Sequence, residues 1–187
     1  MGDAAIVILA GGAATRFPGK LEREIDGTPM LLRVYERLRG ARPIYIAGKG
    51  GFPDALDARL DCTLILDRQP GRGPLTALVD ACGAIGARRV FAVAADLPNV
   101  DAALLDELER AYRDGDEAVV PKHAGGIEPL AALYDRKAVL EHGSALLERN
   151  ENAMRDLLAG LRVRHVPMEP ARFVNVNTPA DLERAIS

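Results

Sequence analysis

The sequence predicts an α/β domain built around a doubly wound, mostly parallel sheet. Short, unbroken apolar runs alternate with amphipathic stretches, and the runs occupy residues 5–10, 44–47, 62–66, 90–95 and 118–120. Unbroken runs rich in β-branched residues are typical of strands covered on both faces, as in parallel sheets. Their alternation with helices indicates βαβ units. A length of 187 residues fits one such domain, because single cores commonly hold about 100–200 residues.

Helices between these strands are predicted from capping residues and from apolar spacing. Thr28 and Pro29 indicate the start of the first helix, with threonine as its cap and proline in its first turn. Apolar side chains then follow at positions 30, 31, 34 and 38, and similar stripes occur at 75, 78, 79 and 82 and at 104, 105, 108 and 111. Thr178 and Pro179 predict a last helix by the same device.

The region of residues 121–173 has a less regular pattern. It holds a glycine-rich turn at residues 124–126, helical pieces at residues 136–149 and 152–160, and a strand at residues 163–166. Neither a long polar linker nor an internal repeat divides the chain. We therefore predict a single domain over residues 1–187.

The composition argues against several classes of partner. The net charge of −3 provides no basic field of the kind that binds a nucleic-acid backbone, although a small anion needs only a local group of cations. No apolar run approaches the roughly 20 residues that span a bilayer, so no membrane association is expected. Cys62 and Cys82 fit neither a metal pair nor a disulfide framework. We expect two buried thiols in a protein of the reducing cytoplasm.

Three polar segments are predicted at the carboxyl ends of strands, where open α/β sheets bind their ligands. The first contains Gly11 and Gly12, which let backbone N–H groups approach a phosphate without obstruction by a side chain. Arg16 and Lys20 add two cations on the same short segment, and charge-assisted bonds to phosphate oxygens are strong. The spacing matches neither a P-loop nor Gly-x-Gly-x-x-Gly. A plain glycine turn with two solvated basic side chains is the alternative interpretation.

The second and third segments each contribute a carboxylate. Asp96 directly follows the run at residues 90–95, where it could hold Mg²⁺, which typically takes one or two carboxylates plus phosphate oxygens. The alternative role for Asp96 is to cap the helix that begins near Asp101. Asp67 follows the run at residues 62–66 and opens a Gly/Pro-rich loop before a helix that starts near Pro74. It is either a ligand contact or an exposed residue of an ordinary turn.

The remaining polar residues are expected to be structural. His123, His142 and His165 are scattered and lack the spacing of metal ligands, so we interpret them as structural or surface groups. No nucleophile and base are placed together by position, and a covalent enzyme intermediate is therefore not expected.

The motifs, in their order along the chain, resemble those of the molybdenum cofactor guanylyltransferases (MobA). They are Leu9-Ala10-Gly11-Gly12 with Arg16 and Lys20, Gly73-Pro74-Leu75, Ala95-Asp96-Leu97-Pro98, Glu128-Pro129-Leu130, and Asn175-Val176-Asn177-Thr178-Pro179-x-Asp181-Leu182. The similarity runs from residue 5 to residue 186. Many nucleotidyltransferases share the opening signature, whereas the Gly-Pro-Leu element and the closing Asn-x-Asn-Thr-Pro favour the molybdopterin branch.

The resemblance implies a Rossmann-like nucleotidyltransferase fold and a specific reaction. In that reaction the GMP moiety of GTP is joined to the phosphate of molybdenum-molybdopterin, pyrophosphate is released, and Mg²⁺ is the cofactor. The implied partners are GTP, a molybdopterin-type phosphate acceptor and, transiently, other molybdenum-cofactor proteins. Residues up to about 120 would form a nucleotide-binding half, and residues from about 121 to 187 an acceptor-binding half.

The resemblance also assigns roles to individual residues. The residues expected to hold GTP are Leu9, Ala10, Gly11, Gly12 and Lys20. Asp67 would contact the nucleoside, and Asp96 would hold the metal beside the nucleotide. Arg16, Lys20 and Asp96 form the expected catalytic set, because together with the metal they would neutralise charge on the reacting phosphates. Asn175 and Asn177 would line the site near the acceptor phosphate or the metal.

Two other functions share these features. A related enzyme would use CTP, or would transfer a nucleotide to a sugar or alcohol phosphate, with the same opening loop. A non-catalytic nucleotide-binding domain would keep the fold, although the presence of Lys20 and Asp96 weighs against it. The family places an Asn after the second strand to contact guanine, and residues 46–50 (IAGKG) contain none. We therefore expect guanine to be selected mainly by backbone groups near residues 9–11 and 47–48, with Asp67 assisting.

Overall fold

The structure is a computed structural model that describes residues 3–11, 20–40, 42–50, 52, 54–66, 71–176 and 181, with only the backbone described for Lys20 and Ala55. Its centre is an eight-stranded sheet in the order β10-β7-β9-β6-β1-β4-β5, with β8 paired to β7. The strands of this sheet are β1 (Ala4–Leu9), β4 (Ile44–Gly48), β5 (Thr63–Leu66), β6 (Arg89–Ala94), β7 (Ala118–His123), β8 (Gly126–Ile127), β9 (Ala131–Asp135) and β10 (Val163–Pro167). A separate hairpin pairs β2 (Glu24–Ile25) with β3 (Thr28–Pro29).

The sheet is mostly parallel, as the sequence predicts. Strand β1 pairs in parallel with both β4 and β6, β4 pairs in parallel with β5, and β10 pairs in parallel with β7. The predicted strands are found within one or two residues of their expected bounds, except that β7 continues to His123. The predicted fold class, a single α/β domain with a doubly wound sheet, is confirmed.

One long strand of the sheet was not predicted. Strand β9 runs antiparallel between β6 and β7 and pairs with both. Its sequence, AALYD, is buried at its first four positions, but an apolar run of only four residues does not distinguish a strand from a buried helical turn. Because β9 reverses direction, β7 and β10 run parallel to β6 on the far side of it.

Helices cover both faces of the sheet. They are α1 (Met30–Leu38), α2 (Asp54–Asp57), α3 (Pro74–Ala84), α4 (Ala102–Ala111), α5 (Arg136–Ala138), α6 (Ser144–Glu148) and α7 (Met154–Ala159). Alternate residues of β1 enter opposite cores: Ile6 and Ile8 pack with α1 and α4, whereas Val7 and Leu9 pack with α3 and α7. The unbroken apolar sequence of β1 is explained by this burial on both faces.

The prediction that Thr28 caps the first helix is wrong. Asp26 and Gly27 both have positive φ, 52° and 74°, and they form the two-residue turn of the β2–β3 hairpin, for which Asp-Gly is a favoured sequence. The Met30 amide then donates to the Arg23 carbonyl at 2.8 Å, which continues the hairpin ladder. Helix α1 consequently begins one residue after Pro29 and has no side-chain cap.

The other predicted helices are confirmed over residues 74–84 and 102–111 and, in pieces, over 136–148 and 154–159. Between α5 and α6 the chain forms a π-helix, Val139–Gly143. Residues 178–180 lie outside the described residues, and the helix expected to begin at Thr178-Pro179 stays a prediction.

The π-helix packs directly against α3, and Gly143 makes this contact possible. A Cβ atom on Gly143 would lie 2.6 Å from Cγ2 of Val79. Because a β-branched side chain on a helix has little rotamer freedom, we expect Gly143→Ala to lower the free energy of unfolding by about 1–3 kcal/mol. Urea denaturation monitored by circular dichroism would measure this loss.

Gly83 provides the matched control for that substitution. It lies in α3, and a Cβ atom there would meet nothing within 4 Å. Gly83→Ala should therefore be neutral or stabilise the protein by up to about 1 kcal/mol through helix propensity. Equal losses for the two variants would contradict the packing explanation.

Both cysteines are free thiols. Cys82 is buried on α3, and this burial raises the pKa of its thiol to about 12. Cys62 is only half-buried, so the expectation of two buried thiols is confirmed for Cys82 alone. Among the described residues, no helix has the length and apolar character needed to cross a bilayer.

Candidate active site

The carboxyl ends of the parallel strands meet at one edge of the sheet, and Leu9, Ala10, Gly11 and Asp96 of the predicted site lie at this edge. In the registers of β1 with its neighbours, Leu9 pairs with Ala47 of β4 and with Ala94 of β6. The residues that follow these three are Ala10, Gly48 and Ala95. The segment after β1 and the segment that carries Asp96 are therefore adjacent, as expected for a ligand site in an open α/β sheet.

Backbone hydrogen bonds fix the start of the segment after β1. The Ala10 amide donates to the Ala47 carbonyl at 2.8 Å, and the Ala95 amide donates to the Leu9 carbonyl at 3.2 Å. These groups hold the ends of the strands together, so the Ala10 N–H is committed to the sheet. Among the described residues of the predicted phosphate loop, Gly11 is the first whose amide lies beyond the ladder. Gly12 and Arg16 lie outside the described residues, and Lys20 is described only as the first backbone position of a 3-10 helix, Lys20–Glu22.

Gly48 lets the ends of β1 and β4 approach each other closely. A Cβ atom at this position would lie 3.3 Å from the Ala10 carbonyl carbon and 3.4 Å from its Cβ. Because the nearest atom belongs to the backbone, a larger residue would displace the start of the predicted phosphate loop. The Ala47 carbonyl, one of the groups expected to select guanine, already accepts the Ala10 amide.

Asp96 lies where the sequence predicts it, two residues beyond the end of β6. The residue is half-buried, and its Oδ1 atom is shielded from solvent. Asp96 does not cap the following helix, because the Asp101 carboxylate accepts the Leu104 amide at 2.9 Å and caps α4. The capping role considered for Asp96 is therefore wrong.

The segment that contains the closing motif contacts Asp96 directly. The Val176 amide donates to the Asp96 carbonyl at 3.0 Å. Val176 is fully buried and packs with Ile25 and Met30, whereas the neighbouring Asn175 is exposed. The buried valine thus anchors the segment to the Asp96 backbone, while the preceding residue in the chain, Asn175, is accessible to solvent. Asn177 lies outside the described residues.

The loop before α3 contacts the second half of the chain. Gly71 and Gly73 have φ values of 87° and 94°, which glycine adopts readily, and Arg72 donates to the side-chain oxygen of Asn150 at 3.0 Å. Helix α3 then begins at Pro74 with Gly73 at its N-cap position, as the sequence predicts. Asp67 lies outside the described residues, so its expected contact with the nucleoside stays a prediction.

The Glu128-Pro129-Leu130 motif forms the turn between β8 and β9. The Leu130 carbonyl accepts the Ala94 amide at 2.8 Å, and the Pro129 carbonyl accepts the hydroxyl of the buried Tyr134 at 2.7 Å. This turn therefore extends the pairing of β6 towards Asp96. Glu128 also contacts His123 at 2.9 Å, a residue for which the sequence indicated no site role.

The chemistry of this edge suits phosphates and a hard cation. Glycine backbone at the end of β1 can approach phosphate oxygens, and the Asp96 carboxylate and Asn175 amide offer oxygen ligands. Among the residues that the structure describes, no three His, Cys, Asp or Glu side chains are grouped to hold a metal.

Comparisons with known proteins agree with these features. The sequence matches the family model of the MobA-like NTP transferase domain over residues 6–167. A probable molybdenum cofactor guanylyltransferase of Opitutus terrae is 35% identical, in an alignment that covers 95% of this chain and 92% of the relative. A protein of the same description from Natronomonas pharaonis is 31% identical over 99% of this chain and 98% of the relative.

A solved structure of a protein with a related description has the same fold. The molybdopterin-guanine dinucleotide biosynthesis protein A from Archaeoglobus fulgidus superimposes with a TM-score of 0.81 at 25% identity and covers 97% of this chain and 96% of its own. Membership of this family is consistent with a divalent metal cofactor. With motifs, fold and relatives in agreement, the chain is a nucleotidyltransferase and belongs to the MobA-like NTP transferase family.

Proposed function

We propose that the protein transfers GMP from GTP to the phosphate of molybdenum-molybdopterin and releases pyrophosphate. The observation that carries this proposal is the junction of three motifs at one edge of the sheet. The Ala95 amide bonds to the Leu9 carbonyl, and the Val176 amide bonds to the Asp96 carbonyl. These two bonds hold three segments next to one another: the proposed triphosphate loop after β1, the segment of Asp96, and the segment proposed to line the acceptor site. The relatives described as guanylyltransferases support guanosine as the nucleoside.

The loop after β1 is the proposed triphosphate site. Gly11 and Gly12 would donate backbone N–H groups to phosphate oxygens, while Leu9 and Ala10 fix the loop to the sheet. The side chains of Arg16 and Lys20 would add two positive charges beside the α- and β-phosphates. Charge-assisted hydrogen bonds of this kind are about twice as strong as neutral ones.

Mg²⁺ is the proposed cofactor, with Asp96 as its protein ligand. The carboxylate is a hard oxygen donor, and Mg²⁺ commonly combines one or two carboxylates with substrate phosphates and water. When bound, the ion would neutralise charge that develops on the phosphates. Asn175 and Asn177 would line the site near the acceptor phosphate, and Asp67 would contact the nucleoside.

No covalent enzyme intermediate is needed for this reaction. The acceptor phosphate is itself a nucleophile, and one of its oxygens forms a bond to the α-phosphorus of GTP as the bond to the pyrophosphate oxygen breaks. The protein therefore has to align the two substrates and stabilise the leaving pyrophosphate. Arg16 and Lys20 would supply charge for that purpose.

A competition between nucleotides tests the proposed base. We expect GTP to support pyrophosphate release with molybdenum-molybdopterin at least about tenfold faster than CTP or ATP, because a site built from polar groups leaves the wrong base unpaired. The backbone groups proposed to contact guanine are those near residues 9–11 and 47–48, with Asp67 assisting. Each nucleotide would be assayed alone and in equimolar mixtures.

Two results would contradict the proposal. Faster transfer from CTP than from GTP would establish the cytidylyl function instead. Binding of GTP without pyrophosphate release, in the presence of Mg²⁺ and acceptor, would indicate a nucleotide-binding domain that lacks catalysis.

The proposed compartment is the reducing cytoplasm, which is consistent with the two free cysteines.

A further inference from the structure

His123 lies at the end of β7 and contacts three separate parts of the acceptor-binding half. Its Nε2 atom lies 2.9 Å from the Glu128 carboxylate, and its Nδ1 atom accepts the Gly125 amide at 3.0 Å. Its ring stacks on Phe173 with centroids 5.3 Å apart and an interplanar angle of 11°. The His123 side chain is only 9% exposed. A histidine first interpreted as structural or surface is thus enclosed at the same sheet edge as Asp96.

The contacts indicate the tautomer of the neutral ring. Because Nδ1 accepts a hydrogen bond from a backbone amide, it carries no proton, and the proton of the neutral ring is on Nε2. Nε2 therefore donates to Glu128. Both nitrogens are used in fixed roles, so the ring is held in one orientation between the β7–β8 turn and the Glu-Pro-Leu turn.

Two short paths lead from this ring to the backbone around Asp96. The first passes through Glu128 to Leu130, whose carbonyl accepts the Ala94 amide at 2.8 Å. The second passes through Phe173 to Val176, whose amide donates to the Asp96 carbonyl at 3.0 Å. One path ends two residues before Asp96 and the other ends on Asp96 itself.

We propose that His123 is a positioning residue that sets the placement of the Asp96 segment through Glu128 on one side and Phe173 on the other. This inference rests on the proposed function for its kinetic consequence, since Asp96 acts there as the metal ligand. His123 touches neither substrate nor metal in this role. Its effect is to keep the Asp96 backbone at a fixed position relative to the segment that carries Asn175.

Three substitutions separate the two paths. His123→Phe keeps a ring to stack on Phe173 but removes the donor to Glu128. His123→Gln places an amide N–H near the Nε2 position and keeps the Glu128 contact while losing the ring. His123→Asn retains only an acceptor for the Gly125 amide. His165→Phe is the matched control, because His165 is exposed on β10.

Amide hydrogen exchange followed by NMR tests how firmly the Asp96 segment is held, without any assay of activity. We expect His123→Phe to speed exchange at Ala94 and to leave Val176 protected, and His123→Gln to do the reverse. His123→Asn should speed exchange at both amides.

In pyrophosphate release, kcat should fall about tenfold or more for His123→Asn, because small misplacements of reacting groups are costly. The KM for GTP should stay within about threefold, since His123 makes no contact with GTP in this role.

The outcomes distinguish this inference from the proposed function. Unchanged exchange at Ala94 and Val176 in all three variants would overturn the positioning role, as would a uniform rise in exchange across the sheet with a matching fall in melting temperature. If these amides respond as expected but the unmodified protein transfers no GMP to molybdenum-molybdopterin, the proposed function fails and the positioning role stands. If the unmodified protein is active and kcat is unaffected in every variant, the positioning role fails alone.

Discussion

Asp96→Asn should reduce pyrophosphate release by a factor of about 100 or more, because it removes the anionic oxygen ligand that Mg²⁺ prefers while keeping the shape of the side chain. The backbone around Asp96 is held by the Val176 amide through a carbonyl that the substitution does not alter. The fold should therefore be preserved, and the loss should be confined to chemistry and metal binding. Steady-state assays at several Mg²⁺ concentrations would measure it.

A second measurement identifies the cause of that loss. In the native protein, stabilisation by GTP in a thermal-shift assay should increase with Mg²⁺, and in Asp96→Asn this increase should be small. Asp114→Asn is the control, because Asp114 is exposed in the turn before β7 at the opposite edge of the sheet. An Asp96→Asn protein with the native dependence on Mg²⁺ would exclude Asp96 as the metal ligand.

Lys20→Ala is the second substitution expected to have a large effect. If the Lys20 ammonium contacts the triphosphate during transfer, its removal should lower kcat/KM for GTP by about 100-fold, which is typical for a contact that stabilises a transition state. The melting temperature should change little, because the substitution leaves the backbone of the 3-10 helix Lys20–Glu22 in place. The measurement is initial-rate kinetics over a range of GTP concentrations.

The control for Lys20 removes a similar charge elsewhere. Lys137 is exposed on α5, which follows the carboxyl end of the antiparallel strand β9 and so lies at the edge opposite the site. Lys137→Ala should have native kinetics. Turnover of Lys20→Ala within a factor of about two of the native value would remove Lys20 from the catalytic set.

The parallel strands could be predicted because their apolar runs record burial on both faces of the sheet. Strand β9 could not, since its apolar run is only four residues long and its partner β6 lies about forty residues earlier in the sequence. The start of α1 was misplaced because a Thr-Pro pair also suits the second strand of a hairpin. The Asp26-Gly27 turn immediately before that pair was the signal that distinguishes the two.

The position of Asp96 could be predicted from its place after a buried strand. Its alternative role as a helix cap was resolved only by the geometry, which gives that role to Asp101. The enclosure of His123 depends on Phe173, fifty positions later in the chain, and on a tight turn at Gly125. The sequence pattern does not reveal such contacts, because neither His123 nor Phe173 has the periodicity or spacing of a motif.

The insertion of β9 between β6 and β7 has a consequence for the order in which the molecule assembles. Strand β6 has β1 on one side soon after it is synthesised, but its other side stays an open edge until residues 131–135 have emerged. The backbone of Asp96 gains its last partner only with Val176. Contacts so distant in sequence form late, because the intervening chain must first lose its conformational freedom. We therefore expect this edge of the sheet to be completed last, so that a nascent chain displays Asp96 without the groups that hold it in place.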